Sequence, residues 1–211
     1  MARPAPSTDQ RGGQELLHRR RLLQAMASVV AEHGYAATTI ADVVRVARVS
    51  KSTFYAHFDD KEHCYVALYS TATDKVIEAM READEQAGAL GLPWRGHLLA
   101  VNRAHLGALA AGGPLTRSML IEVQTAGPSA QAMRRDVFGR YARLMCELGE
   151  AVRRDEPRLR RLSPGIALGI VGGVNELMME AIERGPVEAI TGLVDVATEL
   201  WAAVLTAPGP G

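Results

Sequence analysis

Between residues 50 and 61 the chain gathers side chains that donate hydrogen bonds: Ser50, Lys51, Ser52, Thr53, Tyr55, His57 and Lys61. Phe54 and Phe58 punctuate them at a four-residue step, the spacing of one helix face. Small donors on the open face of a short helix suit phosphate oxygens and base edges. Thr39 and Lys61 stand at two further helix starts, where free backbone N–H groups attract phosphate. The chemistry is recognition of a polyanion. Bond-breaking machinery is missing by motif: there is no phosphate-cradling Gly loop, no Gly-x-Ser-x-Gly elbow and no His-Glu-x-x-His metal site. His57, His63 and Cys64 lack the spacing of a closed metal site. Neither an enzyme, a cofactor nor a metal is expected.

These residues need helices to hold them. Leu22, Met26, Val29, Val30 and His33 recur at three- and four-residue steps, which predicts helix 1 over Glu15–His33 with Gly34 at its end. Thr39 and Asp42 form a variant capping box for a second helix running to Ala47. Ser50 caps a third helix that reaches Phe58, and Asp59 or Asp60 caps a fourth from Lys61 to near Ala87. Two short helices joined by three or four residues are a helix-turn-helix. Pro93, Pro114, Pro128, Pro164 and Pro186 each open a helical pattern, because a proline at a first helical position loses no hydrogen bond. The remaining helices are then 93–110, 114–125, 128–154, 164–184 and 186–205. The expected fold is all-α, with nine helices in two domains.

The segment from Thr38-Thr39-Ile40-Ala41-Asp42 through Val49-Ser50-Lys51-Ser52-Thr53-Phe54-Tyr55-Ala56-His57-Phe58 to Asp59-Asp60-Lys61-Glu62 resembles the signature of TetR-type transcriptional regulators. That resemblance implies phosphate contacts for Thr39, Tyr55, His57 and Lys61, and major-groove contacts for Lys51, Ser52 and Thr53. Ser50 joins the same surface. Arg19, Arg20 and Arg21 are placed to clamp the backbone or enter the minor groove. Two residues depart from the family pattern: Val44 replaces a small residue, and Arg48 stands where the turn usually has Gly. A positive φ at Arg48 costs about 1 kcal/mol against Gly, so either the turn is reshaped or the guanidinium is recruited to phosphate. The implied partners are a pseudo-palindromic double-stranded operator, a second copy of the chain and a small-molecule effector.

The implied organisation is a flexible arm over 1–13, a DNA-binding head over 14–62, an effector and dimerisation domain over 63–206 and a disordered tail over 207–211. Helix 8 carries Gly165, Gly169, Gly172 and Gly173 on one face. Each costs about 1 kcal/mol against Ala, so close approach of another helix is the expected compensation. Helix 9 has two apolar stripes, one with Ile190, Val194, Ala197 and Trp201 and one with Leu193, Val196, Leu200 and Val204. Ile190, Val194, Trp201 and the four glycines are the expected dimer face. His97, His105, Met119, Glu122, Tyr141, Met145, Asn175, Met178 and Met179 interrupt apolar faces of helices 5 to 8 and are the expected lining of a cavity for an apolar or amphipathic effector. The reading is a repressor released from its operator by that effector. The alternatives are a ligand-independent dimeric regulator or a helical enzyme.

The 211 residues balance 24 Lys and Arg against 24 Asp and Glu. Residues 1–63 carry a balance of +2 and the remainder −2, which permits DNA binding by the first part but argues against a sequence-independent architectural binder. Cys64 and Cys146 read as small buried hydrophobes in a reducing compartment. No signal peptide precedes the helices, and Asn175, Glu176, Asp195 and Glu199 break the longest apolar runs below a membrane span. A soluble, cytoplasmic protein is expected.

Overall fold

The computed structural model describes residues 8–124 and 126–207, and of residues 8–12 the backbone alone. Nine α-helices form among the described residues: α1 Thr8–Ala37, α2 Ile40–Ala47, α3 Lys51–Tyr55, α4 Lys61–Ala89, α5 Trp94–Ala111, α6 Pro114–Ile121, α7 Pro128–Asp155, α8 Pro164–Arg184 and α9 Val194–Thr206. The all-α, two-part architecture is as expected. α1 begins earlier than its apolar pattern, so residues 8–13 of the expected arm are helical; residues 1–7 and 208–211 lie outside the described part. Helix 9 is shorter than expected. Residues Val187–Leu193 after Pro186 form a 3-10 stretch, and the α-helix starts only at Val194.

Local chemistry explains most starts and stops. Thr39, Ser50, Asp60 and Ser163 each accept the backbone N–H three residues on. Pro114, Pro128 and Pro164 are first helical residues. Gly34 breaks α1 with φ +78°, and Thr38 then donates to its carbonyl at 2.8 Å. Asp42 differs in detail from the expected box: its carboxylate accepts the Thr39 hydroxyl at 2.5 Å.

α1 to α3 form a head whose core is Leu22, Met26, Val43, Phe54 and Phe58. α4 leaves the head and packs along α5 and α7, while α8 lies on α7 and α9 on α5. One buried apolar cluster runs without a break from the head through Tyr35, Tyr65 and Leu68 into the body. The two parts therefore share a core through α1 and α4. A second cluster joins Leu106, Met178, Ile182 and Ile190 at the far side.

Contrary to the sequence reading, α8 and the 187–206 segment are long and apolar enough to cross a membrane by length and composition, and 28% of each apolar window is buried. Both pack on the bundle along one side and leave the other open. That open side includes Leu168, Val196 and Leu200, which are 46%, 40% and 41% exposed.

Candidate functional site

The head presents α3 on the surface. Phe54 and Phe58 turn inward, with ring centroids 5.7 Å apart, and hold the helix against the head core. Lys51, Ser52 and Tyr55 are exposed, Tyr55 by 55% of its surface, and Thr53 is half-buried. The Ser50 hydroxyl takes the Thr53 N–H at 3.0 Å and lies 2.7 Å from Ser52 Oγ and 2.8 Å from Thr53 Oγ1, so these three hydroxyls organise the start of α3 among themselves. The Thr39 hydroxyl is likewise engaged with Asp42, whose carboxyl it helps hold below the usual range. His57 is half-buried near His18, and burial lowers its pKa, so its imidazole is neutral at pH 7 and offers an N–H rather than a charge.

Arg48 has φ +54° and ψ 48° and is the one non-glycine residue with positive φ among those described. The turn thus keeps the left-handed conformation that Gly would favour, and Arg48 carries its cost of about 1 kcal/mol. Its side chain is exposed beside α3.

Lys61 has another partner than its resemblance implied. Its ammonium donates to the Tyr35 carbonyl at 2.9 Å, lies 4.3 Å over the Tyr35 ring and has its pKa lowered by burial. Tyr35 is held from the opposite direction too, because Glu122 accepts its backbone N–H. Ser118 donates to Glu122 at 3.2 Å and lies 3.1 Å from the Tyr65 hydroxyl. Glu62 caps α7 by accepting from Ser129 and Ala130 at 2.7 and 3.1 Å. These contacts tie the end of α1 and the start of α4 to α6 and α7. Tyr35 and Ser118 had no motif of their own, and Glu62 closed the head signature without showing its partners, because those partners lie roughly 50 to 90 residues apart and meet only in the fold.

Behind this junction lies a cavity of about 840 Å³ lined by α1 and α4 to α9. It contains six of the residues expected there: His105, Met119, Tyr141, Met145, Asn175 and Met178. His97 is not among them. It sits in the first turn of α5 and turns to α4, where its Nδ1 lies 2.7 Å from Asp84 Oδ1. Glu122 is also absent from the lining, since its carboxylate is turned to Tyr35 and Ser118 across the junction. Met179 lies outside as well, against Gln124.

Trp201 is the largest correction. It was expected on the dimer face, yet it is 1% exposed and lines the cavity. Ile190 is fully buried and Val194 half-buried in the protomer's own core. α9 turns this stripe inward because it lies on α5, which leaves the Val196 and Leu200 stripe outside. The α8 glycines do face outward: no atom stands within 4 Å of a Cβ built on Gly165, Gly169, Gly172 or Gly173.

Three buried polar atoms have no hydrogen-bond partner among the described residues: His105 Nε2, Asn175 Nδ2 and Trp201 Nε1. All three residues line the cavity. Burial pushes the His105 pKa down to about 4, so it is neutral at pH 7. The exposed lining residues, Leu16, Arg19, Arg20 and Gln24 of α1, Lys75 of α4, and Ala111 and Gly112 of α5, mark where the cavity opens. The lining includes three cations and no carboxylate.

Residues 22–68 match the family model described as bacterial regulatory proteins, tetR family. No curated protein matches the chain in sequence. Among solved structures the chain is similar to the fatty acid degradation regulator FadR from Bacillus halodurans, at TM-score 0.72 and 19% identity over 87% of this chain and 94% of that one. FadR from Bacillus subtilis, solved in complex with stearoyl-CoA, gives TM-score 0.69 and 16% identity over 88% and 98%. A TetR-family transcriptional regulator from Syntrophomonas wolfei gives 0.72 and 16% over 90% and 98%. Residues 22–68 thus carry the match to the tetR family of bacterial regulatory proteins, and the chain has a fold that solved TetR-family regulators share along nearly their whole length.

Proposed function

We propose that this regulator acts as a homodimeric repressor that binds a pseudo-palindromic operator through α3 and is released when a small amphipathic molecule enters the cavity. The observation that carries this reading is that α1, a helix of the head, and α4, which packs on α1 as it leaves the head, both form the cavity wall. An occupant that displaces either helix changes the placement of α3. α6 adds a second route: Thr116, Met119 and Leu120 line the cavity, while Glu122 at the helix end holds Tyr35 and accepts from Ser118 on the same helix. A cavity of this volume and lining suits a drug-sized apolar body, and the complex of FadR from Bacillus subtilis with stearoyl-CoA lends the ligand response support from a similar fold.

On the DNA side, Lys51, Ser52 and Thr53 read base edges, while Tyr55, Arg48, His57 and the remaining Lys61 donor hold phosphates, with Thr39 and Ser50 shaping the helix starts. Dimerisation uses the outward glycines of α8 with Leu168, Val196 and Leu200, whose apolar face a second copy would bury. Two-fold symmetry then calls for half-sites about one helical turn, or a multiple of it, apart.

Selection of bound sequences from a random DNA pool, repeated with an amphipath panel, tests the whole. A two-fold motif whose recovery falls with one class of compound is the expected result. An enriched motif unaffected by every compound that binds the cavity would leave a ligand-independent regulator.

A further inference from the structure

The cavity is chemically uneven along its walls. The wall from α5, α8 and α9 holds His105, Asn175 and Trp201, each with a buried polar atom that no described residue satisfies. A buried unpaired polar group costs about 1–3 kcal/mol, so three around one cavity are a feature a ligand would relieve. Trp201 Nε1 is a donor only, whereas neutral imidazole supplies one donor and one acceptor nitrogen. This wall carries no charge. The opposite side, where α1 and α4 reach the surface, carries Arg20 and Lys75, with which no carboxylate pairs among the described residues, and Arg19, whose guanidinium lies 5.5 Å over the Phe58 ring of the head. Between the two lie aliphatic, aromatic and methionine side chains.

Accepting the cavity as the effector site, we propose that the effector is an anionic amphipath with a second polar function: an anion at the Arg20 and Lys75 opening, an apolar body, and a hydroxyl or carbonyl oxygen at the inner end that accepts from Trp201 and Asn175. A simple saturated acyl chain satisfies the first two requirements and leaves the inner wall unpaired. A hydroxylated or oxidised one satisfies all three. Sites built to hydrogen-bond a substrate oxygen reject analogues that lack it, because their own polar groups are left buried and unpaired.

Matched probes separate these features. The linear set is ω-hydroxypalmitate, palmitate and methyl ω-hydroxypalmitate; the fused-ring set is lithocholate, cholanate and methyl lithocholate. Calorimetry on the full-length protein reads their affinities. In at least one set the hydroxy acid should bind about tenfold or more tightly than both its deoxy parent and its methyl ester. Trp201→Phe and Asn175→Leu should each shrink the hydroxyl preference, and Arg20→Gln and Lys75→Gln the anion preference. Asn175→Leu keeps the test alive should Trp201→Phe fail to fold. Palmitoyl-CoA tells the anion's source: tighter binding than palmitate assigns phosphate, weaker binding assigns carboxylate. Equal affinity for hydroxy and deoxy acids, equal affinity for acids and esters, or no binding by either hydroxy acid overturns the proposal. Operator release is scored separately. Compounds that bind with the expected preferences and release nothing would sink the effector reading while leaving the ligand chemistry intact.

Discussion

Replacing His105 should abolish a pH dependence of stability that the structure builds into the cavity wall. Its ring centroid lies 5.0 Å from that of Tyr141, its Nε2 has no partner, and burial takes its pKa from 6.5 to about 4. No carboxylate lines the cavity to favour the imidazolium. Because the folded pKa is lowered, the unfolded chain binds the proton first. Stability is full above pH 6.5, falls as pH drops below that value, and levels off once the folded protein also protonates near pH 4. The gap between the two values corresponds to a total loss of about 3 kcal/mol, of which about 2 kcal/mol is gone at pH 5. Urea unfolding followed by circular dichroism at steps from pH 8 to pH 5 measures it. Subtracting the curve of His105→Gln isolates this residue from His57, whose lowered pKa acts in the same direction, and from Asp42 and Glu150. Those carboxylates, held below their usual range, lose their stabilising effect only at more acidic pH. Parallel losses in the two proteins between pH 6.5 and 5 would refute the reasoning.

Arg48→Gly should raise stability by about 1 kcal/mol, visible as a higher urea midpoint with unchanged slope, because the residue already sits at φ +54°. The same variant should bind operator more weakly if the guanidinium meets phosphate, with a shallower salt dependence. Leu200→Glu should convert dimer to monomer in light scattering at micromolar concentration while keeping the helical circular dichroism signal. Trp201→Glu should unfold the protomer, since Trp201 is 1% exposed and would bury a charge. Glu122→Gln should cost about 1–2 kcal/mol by weakening a charge-assisted hydrogen bond to the Tyr35 N–H, and should reduce the effect of any effector on operator affinity while leaving effector affinity unchanged. Intact coupling in that variant would remove α6 as the transmitting helix.

The helix starts were legible because caps act within three residues. Thr39 and Ser50, and the prolines at 114, 128 and 164, are read correctly from spacing alone, while spacing left Asp59 and Asp60 open and the structure puts the cap at Asp60. The head was legible for the same reason: its signature occupies one short stretch, although whether Arg48 would keep the left-handed turn was settled only by the structure. Orientation across longer distances was not. α9 is apolar on two stripes, so periodicity cannot say which one a neighbour will cover; contact with α5 turned Trp201 inward and left Val196 and Leu200 outside. His97 and Glu122 read as cavity residues because polar groups on apolar faces suggest a pocket. Asp84 and Tyr35, which claim them, are recognised as partners only when α4 meets α5 and α6 meets α1. The sequence by itself determines the helix starts set by caps and first-turn prolines and where the donors of α3 lie, since both depend on interactions within a few residues. Which polar groups face the cavity, and which are left without a partner there, depends on the packing of seven helices and is decided by the tertiary structure.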